Sequence, residues 1–322
     1  MIHFLALSLF SLSGLQLEHH FDVPEYIGHA IFGSGSNDSF WLADRKNSWI
    51  KRFDYNGKEL THIFYGSGDG PGEFIKPRNL IELPEQDMLV VASQHGKTLS
   101  FNTKTGAFQD NLINFQPYQN SAGWGNSSFI FLWTRKSDDN QASFVVFDHQ
   151  GKQQESWEVP RPEYQKDYIY EVARGYAVVR NKVYIGHMVR PEIMELSYRK
   201  GKPVTWPIHR PKGYIEPPKQ KLSRADMFNR KKVIDYVDSF TYMDNIFALN
   251  NQYLIVQWNH AESEPMTIDI YRLSDRKRIL ANHPIEGRIM GTSGNRIFTI
   301  HDIEEDDEDR QVVRIFKTRL TE

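Results

Sequence analysis

The chain has 322 residues, a length that fits either two or three ordinary domains or one closed β-architecture. Its 39 Lys and Arg residues against 41 Asp and Glu residues leave a formal charge of −2, which argues against nucleic acid as a partner. The absence of Cys excludes disulfides, thiolate zinc sites, iron–sulfur clusters and cysteine nucleophiles, while 39% hydrophobic residues suffice for a sizeable core.

The chain begins with an apolar run from Phe4 to Leu15. This run is too short to span a bilayer and has the length of a signal-peptide core, so residues 1–16 are interpreted as a signal peptide or leading segment. No Lys or Arg precedes the run, which leaves an ordinary β-strand as the alternative. No other segment is long and apolar enough to cross a membrane, and we expect an exported protein, periplasmic or extracellular, with a cytoplasmic location as the alternative.

A repeating pattern follows this run. Each repeat has two strands with a polar gap between them and then a turn with Gly or Asp. Its turn positions lie 49, 45, 50, 74 and 43 residues apart, which matches the 40–50-residue period of propeller blades except at the fourth interval. These positions are Gly57, Gly106, Gly151, Gly201, Asp275 and Thr318. The segments are 39–60, 87–108, 128–153, 181–203, 251–278 and 295–320.

The content of these segments predicts strands, because β-branched and aromatic residues alternate with polar ones. A four-stranded sheet cannot bury both its faces alone, so the sequence predicts an all-β fold, a single six-bladed β-propeller over residues 17–322. The last segment ends without its outermost strand. We therefore expect residues 15–22 to supply that strand and to close the structure.

The long fourth interval contains an insertion over 206–240 that is predicted to be short and partly helical. Met227, Val233, Tyr236 and Val237 form a loose helical stripe, with Ser223 as the expected N-cap. An insertion of this length leaves from a loop and is either a functional excursion that docks a partner or a packing strap over a seam between blades.

The segment from Phe40 to Ser93 carries a specific motif. It combines a strand ending in Asp, an Ile-x-x-Phe-Asp-x-x-Gly hairpin and a glycine-rich string before the next strand. In these features it resembles the NHL repeat and the bacterial six-bladed propellers of the NHL and TolB-like type. The residues that carry the resemblance are Gly66, Gly68, Gly70, Pro71, Gly72, Glu73, Phe74 and Pro77.

The glycine string does not fit a phosphate-binding loop, since prolines interrupt it and no helix follows. Instead the glycines are expected to allow positive φ in a tight crossover between sheets. Pro71 would stiffen that crossover and Phe74 would fill the gap between adjacent sheets.

Candidate functional residues lie where the first strand of each segment gives way to its loop. In a propeller such equivalent positions converge on one face around the axis, so distant residues can share a pocket. The residues predicted to bind a ligand are Trp133, His187, Arg190, Trp258, His260, His301 and Asp302. The tryptophans could instead fill space between blades, because aromatic residues often supply core area.

His187, His260 and His301 are also candidate ligands for one divalent metal, the one cofactor that the sequence suggests. The resemblance supports this expectation, because some related propellers hold a metal at the axis and act as lyases or hydrolases. Lone histidines are, however, more often surface or hydrogen-bonded core residues.

The sequence thus predicts a non-catalytic binding or interaction module that is monomeric and binds a protein or small-molecule ligand on its loop face. The alternative is a metal-dependent lyase or hydrolase with a histidine-rich site at the axis. In that alternative Glu262 or Asp302 would act as acid or base.

Overall fold

The computed structural model describes most of the chain. The described residues are 14–23, 27–64, 66–68, 70–93, 97–114, 123–125, 129–135, 142–159, 173–197, 202–218, 222–223, 225–261, 265–305 and 308–320. They fall into two compact units, one formed by residues 17–161 with 297–315 and the other by 162–296 with the two chain ends.

Strand β1 (Leu15–Asp22) opens the described chain, and every sheet contains four strands. Sheet 1 consists of β2 (Ala30–Ser34), β3 (Ser39–Asp44), β4 (Trp49–Asp54) and β5 (Glu59–Ile63). Sheet 2 consists of β6 (Asn79–Leu83), β7 (Met88–Ala92), β8 (Lys97–Asn102) and β9 (Phe108–Asn114). Sheet 3 consists of β10 (Gly123–Gly125), β11 (Phe129–Arg135), β12 (Ala142–Asp148) and β13 (Gln153–Val159).

The second half of the chain continues the series. Sheet 4 consists of β14 (Ala173–Val179), β15 (Lys182–His187), β16 (Glu192–Ser197) and β17 (Val204–Pro207). Sheet 5 consists of β18 (Tyr242–Leu249), β19 (Tyr253–Asn259), β20 (Thr267–Arg272) and β21 (Lys277–Pro284). Sheet 6 is built from β22 (Arg288–Ser293), β23 (Arg296–Glu305), β24 (Glu308–Thr318) and β1, in the order β1-β24-β23-β22.

The predicted closure is confirmed, since β1 is the outermost strand of sheet 6 and pairs with β24. The amide of Val23, just after β1, donates to the carbonyl of Gln311 at 2.9 Å. Leu15 and Gln16 belong to β1, so the start of this strand lies inside the segment 1–16 that the sequence treats as a leader.

The blade count is corrected by the structure. An all-β propeller is supported, but with five blades rather than the predicted six. Among the described residues, strand pairing nevertheless gives six sheets. The sequence repeat reports hydrogen-bonded strands and turns and does not by itself fix the number of blades.

The hairpin between the third and fourth strands of a sheet shows why the repeat exists. A side chain at the end of the third strand accepts hydrogen bonds from backbone amides of the turn, and a glycine with positive φ completes that turn. Asp54 accepts from the amides of residues 56 and 58, both at 2.9 Å, and Asp148 accepts from those of 150 and 152 at 3.0 and 2.9 Å. Asn102 does the same in sheet 2, at 3.0 Å.

The glycine-rich loop wraps around its own carboxylate. The amide of Gly70 donates to Glu73 Oε2 at 2.9 Å, and a Cβ at Gly68 or Gly70 would collide with that carboxylate. Positive φ occurs at Gly66 and Gly72, so the glycines have two separate roles. Phe74 is fully buried among residues of sheets 1 and 2, which is the packing position expected for it.

The insertion begins as a strap across sheets 4 and 5. Ile208 lies in the core that these sheets share, and the ring of Tyr214 meets that of Trp258 edge-on at 6.3 Å. The amide of His209 donates to the hydroxyl of Tyr271 at 3.0 Å. Residues 206–218 therefore form a packing strap over sheets 4 and 5, which is one of the two alternatives given for the insertion.

The helical part of the insertion is shorter than predicted. Helix α1 runs over Arg230–Val237 and is capped by Asn229, which accepts from the amide of Lys232 at 3.2 Å. The hydroxyl of Ser223 instead accepts from the amide of Asp226, the first residue of the preceding 3-10 turn (Asp226–Phe228), at 3.1 Å. Among the described residues no helix has the length and apolarity needed to span a membrane.

Candidate binding cleft

The sequence-predicted site residues of sheet 4 divide into one buried and one exposed side chain. His187 ends β15 and is only 3% exposed, whereas Arg190 in the following loop is exposed. Burial lowers the pKa of His187; Glu192 counteracts this effect, and Arg190 adds to it. His187 is therefore a neutral interior imidazole near pH 7.

The sheet 5 residues are also interior. Trp258 is 1% exposed and belongs to the core shared with sheet 4, where its indole nitrogen donates to Asp269 at 3.2 Å. His260 is buried, with Nε2 placed 2.8 Å from the hydroxyl of Thr267. Trp258 thus fills core space, which is the alternative that the sequence left open for it.

The sheet 6 residues lie closer to solvent. The Nε2 atom of His301 is 2.9 Å from the hydroxyl of Thr299 on the same strand. Asp302 is exposed and accepts a hydrogen bond from Gln311 at 2.8 Å. The side chain of Trp133 and the whole of Glu262 lie outside the described part of the chain.

The three-histidine metal site has no described ligand cluster to support it. In the described ranges, no group of three or more His, Asp or Glu side chains could hold a metal ion. The site remains a sequence prediction.

A cleft of about 330 Å³ opens at the other end of the strands, within sheets 1 and 2. It lies between the loop from β2 to β3, the loop from β6 to β7 and the hairpin from β8 to β9. The lining residues are Ser36, Asn37, Arg52, Glu82, Pro84, Glu85, Asp87, Thr103 and Lys104. Its volume is at the lower end of the usual range for small-molecule sites, about 300–1,000 Å³.

The floor of the cleft is a buried ion pair within a hydrogen-bond network. Arg52 on β4 is 9% exposed and lies 3.5 Å from the carboxylate of Glu82 on β6. Its Nε donates to Ser39 Oγ at 2.9 Å, and its Nη2 donates to the carbonyl and hydroxyl oxygens of Ser36 at 3.0 and 3.1 Å. The guanidinium also lies over the ring of Trp41, 5.5 Å from its centroid.

The carboxylate of Glu82 also accepts hydrogen bonds from Trp41 and Ser36. It accepts from the indole nitrogen of Trp41 and from the amide of Ser36, the latter at 3.1 Å. The hydroxyl of Ser36 donates to the same carboxylate. The ion pair thus holds Ser36 in place through its amide, its carbonyl and its hydroxyl.

One end of the Arg52 guanidinium remains available to a ligand. Of its five N–H donors, those on Nε and Nη2 point to Ser36 and Ser39, whereas Nη1 makes no hydrogen bond within the described residues. Arg52 is itself one of the residues that line the cleft. The other contacts hold the guanidinium in a single orientation.

The walls of the cleft are tied to each other. The backbone amide of Thr103 donates to the carbonyl of Asp87 at 2.9 Å, which joins the β8–β9 hairpin to the β6–β7 loop. Across the same junction Lys104 Nζ lies 2.6 Å from Asp87 Oδ2. Asn102 fixes the turn that carries Thr103 and Lys104. The cleft is therefore preformed, which reduces the entropic cost of binding.

In sheets 1 and 2 this cleft lies at the opposite end of the strands from the loop positions that the sequence argument selected. At that other end, the carboxylate of Asp44, the last residue of β3, accepts from the amide of Lys46 at 2.7 Å and from Asn47 at 2.6 Å within a turn. The missed signal was the pair Lys51-Arg52 in the middle of an otherwise apolar strand. A strand buried on both faces carries charges only where each one is paired.

Comparison with known proteins supports the fold and nothing finer. Neither a protein-family model nor a curated protein matches the chain, and the NHL resemblance is therefore not shown. A candidate exported protein from Bacteroides fragilis is similar, with 13% identity, a TM-score of 0.60 and coverage of 95% of each chain. A DUF4221 member from Bacteroides vulgatus is 14% identical with a TM-score of 0.62, covering 96% of this chain and 99% of its own.

A chain of a nidogen–laminin complex also shares the fold, at 9% identity and a TM-score of 0.51, with 79% of this chain and 80% of that chain covered. The chain has an all-β propeller fold. At these identities the fold alone is shared, and activities do not transfer with it.

Proposed function

We propose that the protein is a non-catalytic binding module whose propeller holds a small polar ligand in the cleft floored by Arg52. The observation that carries this proposal is the buried guanidinium, which lines the cleft, is fixed by Ser36, Ser39 and Glu82, and has one nitrogen, Nη1, that makes no hydrogen bond within the described residues. A preorganised polar group in a cavity fixes the orientation of a ligand and gives specificity.

Export is the second part of the proposal. It rests on the apolar run from Phe4 to Leu15, on the lack of Cys and on the likeness to a candidate exported protein. Because Leu15 is buried in β1, processing should occur at or before residue 14. Mass spectrometry of protein recovered outside the cytoplasm tests this, and a mature chain that starts after Leu15 would contradict it.

The binding function is tested by filling the cleft. Glu85 is exposed on its wall, so Glu85→Trp should block the cavity while leaving the core intact. Glu286→Trp, at an exposed position in the other compact unit, is the matched control. The probe is a thermal-shift panel of neutral sugars, amino acids, dipeptides and carboxylic acids.

At least one compound should raise the melting temperature of the wild type and of Glu286→Trp but not that of Glu85→Trp. A ligand at ten times its Kd stabilises the folded state by about 1.4 kcal/mol, which such a panel detects. Equal shifts in all three proteins, or no shift in the wild type, would argue against the cleft as a binding site.

Metal analysis separates this proposal from the enzyme alternative. If purified protein carried a stoichiometric transition metal that was lost in a His187→Ala variant, the non-catalytic assignment would be wrong. Retention of the wild-type metal content in that variant would exclude His187 as a ligand.

A further inference from the structure

We infer that the cleft recognises a neutral polyhydroxylated ligand, a carbohydrate of one or two sugar units. This inference rests on the proposed binding function and adds the ligand class. Three properties of the cleft carry it: its charge balance, the mixture of donors and acceptors on its walls, and its size.

The charge balance disfavours an anion. The lining has two cationic side chains, Arg52 and Lys104, against three acidic ones, Glu82, Glu85 and Asp87. Arg52 faces Glu82 and Lys104 faces Asp87, so Glu85 is the carboxylate left without a cation in the lining. A phosphate or carboxylate ligand would therefore approach a site of net negative charge.

A cationic ligand would also gain little binding free energy from the charges of the cleft. The single uncompensated carboxylate, Glu85, is exposed, and an exposed ion pair contributes only about 0–1 kcal/mol. The remaining carboxylates already have cationic partners, which a second cation would have to displace. A neutral ligand avoids the desolvation cost of a charge and can still use the charged groups as hydrogen-bond partners.

Hydroxyl groups match the donors and acceptors of the lining. A sugar hydroxyl both donates and accepts, so it can accept from Arg52 Nη1 while a neighbouring hydroxyl donates to the carboxylate of Glu85. Hydrogen bonds to charged groups are roughly twice as strong as neutral ones. The side-chain amide of Asn37 and the ammonium of Lys104 supply further hydrogen-bond partners along the rim. The exposed ring of Pro84 offers an apolar surface to the C–H face of a sugar.

The geometry of the floor adds selectivity. Arg52 cannot turn away from the ligand, because Trp41 lies beneath the guanidinium and Ser39 holds its Nε. Asn37 has a φ of 53°, so its amide is presented from a left-handed backbone position that only a few residue types adopt readily. A cleft of about 330 Å³ admits one or two sugar rings rather than a long chain.

The experiment is saturation-transfer NMR followed by calorimetry with the full chain. The probes are neutral monosaccharides and disaccharides, an anionic sugar (glucuronate) and a zwitterion (diglycine). A neutral sugar should bind, and glucuronate and diglycine should bind at least tenfold more weakly. Glu85→Gln should weaken sugar binding about threefold to fivefold, equivalent to no more than about 1 kcal/mol, with Glu286→Gln unchanged.

Asn37→Gly is a second variant that preserves the left-handed backbone and removes only the side-chain amide. It too should weaken sugar binding. Melting temperatures of both variants verify that they are folded. If glucuronate or diglycine binds instead and Glu85→Trp abolishes that binding, the carbohydrate assignment is wrong but the binding function stands. If no probe binds in a manner sensitive to Glu85→Trp, both fail.

Discussion

Replacement of Gln311 by Leu should release Ile27, in the segment that follows β1, from β24 of sheet 6. The Gln311 side chain is 6% exposed and mimics a neighbouring strand: its Oε1 accepts from the amide of Ile27 at 2.7 Å, and its Nε2 donates to the carbonyl of Ile27 at 3.1 Å. Leu would fill a similar volume but would leave both backbone groups of Ile27 buried without partners. At about 1–3 kcal/mol for each unsatisfied group, the free energy of unfolding should fall by about 2–6 kcal/mol.

The assay is equilibrium unfolding in urea followed by tryptophan fluorescence, with hydrogen exchange at Ile27 as the local readout. Asp302→Ala is the control, because it removes the third partner of Gln311 but exposes no buried group, and its effect should stay within about 0.5 kcal/mol. Equal stability of Gln311→Leu and wild type, or unchanged exchange at Ile27, would refute the reasoning.

Three further changes test the packing and the electrostatics. Phe74→Ala should lower the free energy of unfolding in urea by about 3–5 kcal/mol, whereas Phe64→Ala, at a side chain 65% exposed, should change it by no more than about 0.5 kcal/mol. Gly68→Ala should destabilise through the Glu73 carboxylate, so the double variant Gly68→Ala/Glu73→Ala should lose less than the sum of the single losses. Because burial lowers the pKa of His187, the unfolded chain takes up a proton below about pH 6.5 that the folded chain does not, and stability falls on acidification. His187→Gln should therefore lose less stability than wild type between pH 7.5 and 5.5, in paired thermal melts, by up to about 1.4 kcal/mol, because pH 5.5 lies one unit below the unfolded pKa.

The fold was predictable where the sequence repeats a local requirement. The turn at Gly57 needs an acceptor three residues earlier and a residue that tolerates positive φ, and Asp54 meets the first requirement. The same pair of requirements recurs in sheets 2 and 3, so the period became visible. The closure by β1 followed from counting strands. The number of blades did not follow, because local turn chemistry contains no information about radial placement.

The candidate site was less predictable from the sequence. Residues were selected because they occupy equivalent positions in each repeat, and the free-energy cost of burying a polar side chain was not considered. Trp258 and His260 occupy repeat positions but lie in the interior, where Asp269 accepts from the indole nitrogen of Trp258 and the hydroxyl of Thr267 lies 2.8 Å from Nε2 of His260. The cleft instead depends on Glu82, which lies in a different segment from Arg52. One sequence offers no sign that these two side chains meet.

Stability alone does not explain the ion pair between Arg52 and Glu82 on the cleft floor. Replacing a buried ion pair by apolar residues of similar volume is often neutral or stabilising, so sheets 1 and 2 could be joined as firmly without Arg52 and Glu82. What an apolar pair could not do is present a fixed N–H donor at the base of a cavity. Under the proposed function the charges are recognition elements, because Nη1 of Arg52 makes no hydrogen bond within the described residues. The proposal thus assigns binding to this arrangement and not to the histidines predicted from the sequence.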